Sequence, residues 1–174
     1  MKKSKKRGRP KILGQLRETN GRLSRAKQPK EPACQLAIKM RAKHFNLTLQ
    51  DAKNPLSGTY IGRLYLQGVL TREQYDAAQK YLQIRNDYLC AKGLPNAIYD
   101  EMPSSCDERA RDKWIAFATE QFLAMEEAIR EVQSLYRQHN IYAAIQYLVI
   151  EDKPLPYLVG TVQVALNALQ KHFH

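Results

Sequence analysis

A run of seven residues near the N-terminus has the composition of a ligand for the minor groove of DNA. Its glycine has no side chain to collide with the groove floor, and its proline keeps the backbone extended. The two arginines beside the glycine can then lie along an A·T tract, where the negative potential of the groove is enhanced. The lysines at either end suit the flanking phosphates. These residues are the first candidate DNA contacts: Lys5, Lys6, Arg7, Gly8, Arg9, Pro10 and Lys11.

This run resembles the AT-hook, a short DNA-binding motif whose core is Arg-Gly-Arg-Pro. The core is complete here, from Arg7 to Pro10, and basic residues flank it on both sides. The resemblance implies binding to A·T-rich duplex through the minor groove. It covers seven residues, so a generic basic tail with affinity for any nucleic acid stays an open alternative.

The charge of the chain is concentrated around this run. The whole chain carries a net charge of +11, and residues 1–31 hold twelve basic and two acidic residues, a net charge of +10. Such a segment favours a polyanion as partner. DNA and RNA are better candidates than a membrane, because the segment has too few large apolar residues to insert. A purely solubilising tail is the remaining alternative. We therefore expect a disordered basic arm over residues 1–31, whose further candidate DNA contacts are Arg17, Arg22 and Arg25.

Catalytic and metal-binding chemistry finds little support in the sequence. The three cysteines, Cys34, Cys90 and Cys106, lie too far apart for a zinc site and are odd in number, which favours free thiols in a reducing cytoplasm. The sequence has no phosphate-binding glycine loop and no run of apolar residues long enough to span a bilayer. We expect a non-enzymatic, cytoplasmic protein without cofactor or metal and without a membrane partner.

Helical periodicity dominates the rest of the chain, which we predict to be one all-α domain over residues 32–174. Thr71 and Gln74 have the spacing of a capping box, and Gly93 is placed to end the helix that the box begins. Asn140 can cap a later helix. Six helices are predicted, at about 33–46, 60–67, 72–92, 106–138, 141–150 and 157–172.

The predicted helix at 106–138 carries a heptad pattern of apolar residues spaced alternately by three and four. This pattern is typical of a helix that lies along another helix at a shallow angle. Its partner is either the 72–92 helix of the same chain, as a long antiparallel pair, or a neighbouring subunit of a homo-oligomer. We call these residues the heptad seam: Ile115, Ala118, Phe122, Met125, Ile129, Val132 and Tyr136.

A helix–turn–helix is predicted from Tyr60 to about Tyr81, with Gly68 in its turn. A version that reads DNA would present polar side chains from its second helix, namely Arg72, Gln74, Gln79 and Lys80. Glu73 and Asp76 on the same helix argue against a surface that faces phosphates. A purely structural helical hairpin is therefore the favoured interpretation.

The segment Gly58–Tyr75, with sequence GTYIGRLYLQGVLTREQY, resembles small proteins of phages and prophages in the small terminase subunit family. The general plan is similar too, with a DNA-binding N-terminal part, a long antiparallel helix pair and a C-terminal segment. The resemblance implies a DNA-recognition role in viral genome packaging, an oligomer built from the helix pair, and the terminase large subunit as partner.

The chain departs from that family because no clean helix–turn–helix precedes the helix pair, which leaves its mode of DNA recognition open. Two other functions are compatible with the same basic arm. One is a transcriptional or nucleoid-architectural regulator. The other is a virion or scaffold protein whose arm neutralises packaged DNA.

Overall fold

The computed structural model describes residues 14, 17–18, 20–25, 33–99 and 108–173. The described residues contain seven α-helices and no strand, so the all-α prediction is confirmed. The chain divides into two compact units, residues 1–52 and residues 53–174, which are described separately below. The AT-hook-like run at residues 5–11 lies outside the described residues.

The first unit contains a local turn within the arm and two helices. In the turn, Arg17 and Leu23 pair in a single antiparallel bridge. The Glu18 N–H donates to the Arg22 carbonyl at 2.8 Å, and Gly21 supplies the left-handed conformation that closes the turn. Helix α1 spans Ala33–Phe45, and helix α2, which the sequence analysis did not predict, spans Leu49–Lys53.

The second unit contains the other five helices. Helix α3 spans Tyr60–Leu66, α4 Arg72–Lys92, α5 Glu108–Leu135, α6 Ile141–Ala144 and α7 Val159–Phe173. A π-helix, Ile145–Ile150, continues α6 directly. Short 3-10 turns at Pro55–Gly58 and Pro156–Leu158 precede α3 and α7.

The ends of these helices follow from the side chains that satisfy their backbone groups. The predicted capping box is present, because Thr71 accepts from the Gln74 N–H while Gln74 accepts from the Thr71 N–H. Gly93 ends α4 with φ +61°, in the left-handed region. Asn140 accepts from the Ala143 N–H and begins α6. The predicted boundaries of α4 therefore match the structure residue for residue.

Helices α4 and α5 form the predicted long antiparallel pair. Tyr88, late in α4, stacks on Phe122 with ring centroids 4.0 Å apart. Tyr81, one to two turns earlier, lines a groove with Glu126 and Ile129 further along α5. Helix α7 packs against both helices and completes the core.

The buried face of α4 is broader than a single apolar stripe. Leu82 and Leu89 are half-buried, whereas Ala77, Tyr81 and Ile84 are buried. The reason is geometric: α4 contacts α5 on one side and α7 on another, so its apolar surface divides between two neighbours.

Candidate nucleic-acid interface

The described arginines of the arm are displayed by the turn in the first unit. Arg17, Arg22 and Arg25 are all exposed. The Arg17 Nη1 donates to the Gly21 carbonyl at 2.8 Å, which holds that guanidinium against the turn. Ser24 donates to the Glu18 carboxylate at 2.8 Å and further fixes the loop. The described part of the arm therefore carries three exposed arginines beside a locally hydrogen-bonded turn.

Helix α1 adds exposed positive charge that the sequence analysis did not assign to DNA binding. Lys39 and Lys43 are exposed and lie one helical turn apart, and α1 contains no acidic residue. Two large apolar residues of α1 also stay at the surface, since Leu36 and Met40 are 53% and 58% exposed. Ala42 is the buried residue of this helix.

The division into units sharpens the charge asymmetry of the chain. Residues 1–52 contain fifteen basic and three acidic residues, a net charge of +12. Residues 53–174 contain thirteen basic and fourteen acidic residues, a net charge of −1. The positive charge of α1 therefore extends the basic region beyond the arm, and the whole first unit is suited to a polyanion.

The second helix of the predicted helix–turn–helix offers less to DNA than its sequence suggests. Gln74 is buried, and its Nε2 donates to the Asn167 Oδ1 on α7 at 2.8 Å. Lys80 lies over the Phe173 ring of α7, 4.9 Å from its centroid. Arg72 is exposed, and its Nε lies 3.7 Å from the Asp76 carboxylate. Because α7 occupies this side of α4, the hairpin serves the core of the second unit.

The heptad seam of α5 faces the interior of the same chain. Ala118, Met125 and Ile129 are buried, and Ile115, Phe122 and Val132 are half-buried. Tyr136 follows the end of α5 and is 42% exposed.

The part of α5 that reaches beyond α4 meets α6 and α7. The Gln133 side chain donates to the His139 carbonyl and accepts from the Ile141 N–H, both at 2.8 Å. Val132 and Val164 line one cleft between α5 and α7. Partners within the chain therefore cover most of the seam.

A buried arginine organises the segment on which the family resemblance depends. Arg63 is 4% exposed, and its Nη1 donates to the Ser57 carbonyl at 3.1 Å. Its Nη2 lies 4.0 Å from the Asp152 carboxylate, which also accepts from the Tyr60 N–H. Burial lowers the pKa of Arg63, and the attraction of Asp152 opposes that shift. The cluster joins the start of α3 to the turn after the π-helix, a contact between residues 92 positions apart that no local pattern indicates.

The packing beside this arginine is tight. A Cβ on Gly62 would lie 1.9 Å from the Leu56 carbonyl oxygen, so only glycine fits this position of α3. The exposed face of the segment carries no comparable cluster of basic groups. Its role in the structure is to hold the second unit together.

Among the residues that the structure describes, no three His, Cys, Asp or Glu side chains come together in a way that could hold a metal ion. No helix in the described ranges is both long and apolar enough to cross a membrane.

Comparison with known proteins returns no family model that matches the chain and no significantly similar curated protein or solved structure. The resemblances to the AT-hook and to small terminase subunits stay predictions made from the sequence.

Proposed function

We propose that the protein is a non-enzymatic DNA-binding protein that contacts duplex DNA through residues 1–52. The observation that carries this proposal is the charge division between the units, +12 against −1. Each exposed Lys or Arg that meets a phosphate releases a condensed counterion, and this release drives sequence-independent binding.

DNA is favoured over an anionic membrane by the distribution of apolar groups. On α1 two large apolar residues, Leu36 and Met40, lie exposed one turn apart, and the arm adds few more. Stable membrane anchoring needs a substantial apolar face in addition to positive charge. Guanidinium groups on a short turn and lysines on a helix suit phosphate contacts instead.

Within this function, the proposed biological role is the DNA-recognition step of phage genome packaging, as in a small terminase subunit. The resemblance of residues 58–75 supports this role, and so does the long antiparallel pair of α4 and α5. The role implies a homo-oligomer and a terminase large subunit as partner. Phe117, Leu123 and Leu135 on α5 are 60%, 59% and 75% exposed, and they are apolar groups that could take part in such contacts.

The central test removes charge from one unit at a time. Replacing Lys39 and Lys43 with Gln should weaken binding to a duplex of any sequence and make the salt dependence shallower by about two units of slope. The matched control replaces Lys92 and Lys113, which are exposed in the second unit, and should leave binding unchanged.

Deleting residues 1–31 should remove most of the DNA affinity and leave the helical circular-dichroism signal in place. If the arm neutralises about six to eight phosphates, the intact chain should show log K falling with log salt at a slope of roughly −5 to −7. Full affinity in the deletion, or equal losses in the two double variants, would overturn the proposal.

A further inference from the structure

A groove in the second unit has the dimensions and lining of a small-molecule site. It lies between α4, α5 and the α6–π-helix segment, is open to solvent, and has a volume of about 530 Å³. Its floor is apolar, with Tyr81, Ile129 and Ile145 each almost fully buried. Small-molecule sites are concave, mostly apolar, roughly 300–1,000 Å³ in volume, and carry a few convergent polar groups.

The third wall of the groove is built by the π-helix. Its backbone hydrogen bonds join residues five apart, instead of the four of an α-helix, as in the 2.9 Å bond from the Glu151 N–H to the Gln146 carbonyl. This turn and the start of α6 bring two tyrosines to the rim, Tyr142 and Tyr147, which are 42% and 38% exposed. π-Helices are rare and are found frequently at functional sites.

Two opposite charges line the groove from different helices. Arg85 comes from α4 and Glu126 from α5, and both are half-buried. They do not pair with each other, since every ion pair found among the described side chains joins other residues. Within the described part of the chain, neither side chain makes a hydrogen bond. The groove thus presents a guanidinium and a carboxylate that are both available to a ligand.

We propose that this groove binds a nucleoside monophosphate, with guanine as the preferred base. At the rim, Tyr142 offers a stacking surface to a planar base, and Tyr147 offers the ring face opposite the Lys153 ammonium, which lies 5.1 Å from the ring centroid. The guanidinium of Arg85 suits a phosphate, to which it can donate two parallel hydrogen bonds. The ionised carboxylate of Glu126 is an acceptor only, so it selects a base edge that donates.

Guanine meets that requirement better than the other bases. It presents two adjacent N–H donors on its pairing edge, one for each carboxylate oxygen. Adenine and cytosine present an amine beside a ring acceptor, and uracil presents one N–H between two carbonyl oxygens. A carboxylate would repel those neighbouring acceptors. The order of affinity should therefore be GMP first and UMP last.

The test measures ligand binding to the full chain by NMR of isotope-labelled isoleucine methyl groups. GMP should shift the signals of Ile129, Ile145 and Ile150, which line the groove, with a Kd below about 1 mM. AMP should bind several-fold more weakly. Inorganic phosphate serves as the probe for simple ion binding by the basic arm, and it should leave these three signals in place.

Two conservative variants identify the roles of the charged groups. Arg85→Gln and Glu126→Gln should each lower GMP affinity about tenfold, and Glu126→Gln should also remove the preference over AMP. Arg72→Gln and Glu127→Gln, on the same helices outside the groove, are the matched controls and should bind GMP normally.

Duplex-DNA affinity, measured on the same variants, separates this proposal from the DNA-binding function. It should stay unchanged in Arg85→Gln and Glu126→Gln. The groove proposal is overturned if GMP leaves the three isoleucine signals unmoved, or if phosphate alone reproduces its effect. It is equally overturned if the control variants lose GMP as strongly as the groove variants.

Discussion

The two units of the chain use charge in opposite ways. In the described part of residues 1–52, basic side chains such as Arg22, Arg25 and Lys43 are exposed. In residues 53–174, Arg63 is buried, and its guanidinium donates to backbone carbonyls and lies beside the Asp152 carboxylate. A displayed charge contributes to association with a polyanion and little to stability. A buried and bonded charge fixes the packing around it and is costly to remove.

This contrast predicts that stability and DNA affinity can be altered separately. A change in the packed segment of the second unit should lower the melting temperature and leave DNA binding intact at temperatures where the protein is folded. A change in the arm should do the reverse. A variant that moved both properties together would break the comparison.

The largest effect is expected at Gly62. In Gly62→Ala, the new Cβ would collide with the Leu56 carbonyl oxygen, so the backbone of α3 or of the preceding 3-10 turn must shift. We expect a loss of about 3 kcal/mol in the free energy of unfolding, measured by urea titration. The control is Gly58→Ala, where the added Cβ meets nothing within 4 Å. Comparable losses in the two variants would show that the packing at Gly62 is not what stabilises the segment.

A smaller and purely functional effect is expected at Arg9. If the arm inserts as an AT-hook, Arg9→Ala should cost about 1 kcal/mol of binding free energy on A·T-rich duplex and less on G·C-rich duplex. Insertion of the arginine is favourable in the narrow minor groove of A·T tracts, because the negative potential is enhanced there. Replacing Lys5 with Gln should weaken binding to both duplexes about equally. Equal losses for Arg9→Ala on the two duplexes would reduce the motif to a generic basic tail, and the melting temperature should change in neither case.

Local patterns predicted most of the fold because the decisive signals lie close together in sequence. The Thr71–Gln74 box and Gly93 define α4, and Asn140 defines the start of α6. Each acts within one turn of helix, so its effect can be read from neighbouring residues. The heptad seam likewise predicted that α5 lies along another helix, and α4 of the same chain is one of the helices it contacts.

Features that depend on distant contacts were not predictable in this way. The bond between Tyr60 and Asp152 joins residues that are far apart in the chain, and Asp152 adopts a positive φ that its sequence does not require. From the sequence alone Gln74 could contact DNA, but in the structure its side chain is bonded to Asn167 of α7. The groove could not be predicted from the sequence for the same reason, because Arg85, Glu126 and Tyr147 come from three separate elements. Of the proposed DNA-binding site, only the positive charge of the arm could be predicted from the sequence.

The smallest effect concerns the carboxyl group of that groove. Burial raises the pKa of Glu126 above its usual value of 4.5, and the attraction of Arg130 only partly opposes this shift. Burial also raises the pKa of the neighbouring Tyr81, to about 12, so its hydroxyl stays neutral at neutral pH.

A folded-state pKa above the unfolded one means that the native state holds its proton more tightly. The stability that Glu126 contributes is therefore fully present below the unfolded pKa of 4.5 and is lost as the pH rises through the higher folded value. Glu126→Gln carries no such charge, so its melting temperature should exceed that of the wild type at neutral pH. The difference should shrink as the pH falls towards about 4. Glu127→Gln, which alters an exposed carboxylate paired with Arg130, should show no such gain. A stabilisation that stayed constant with pH would mean that Gln simply packs better than Glu at this position. Desolvation of the Glu126 carboxylate would then not be the cause of the difference in stability.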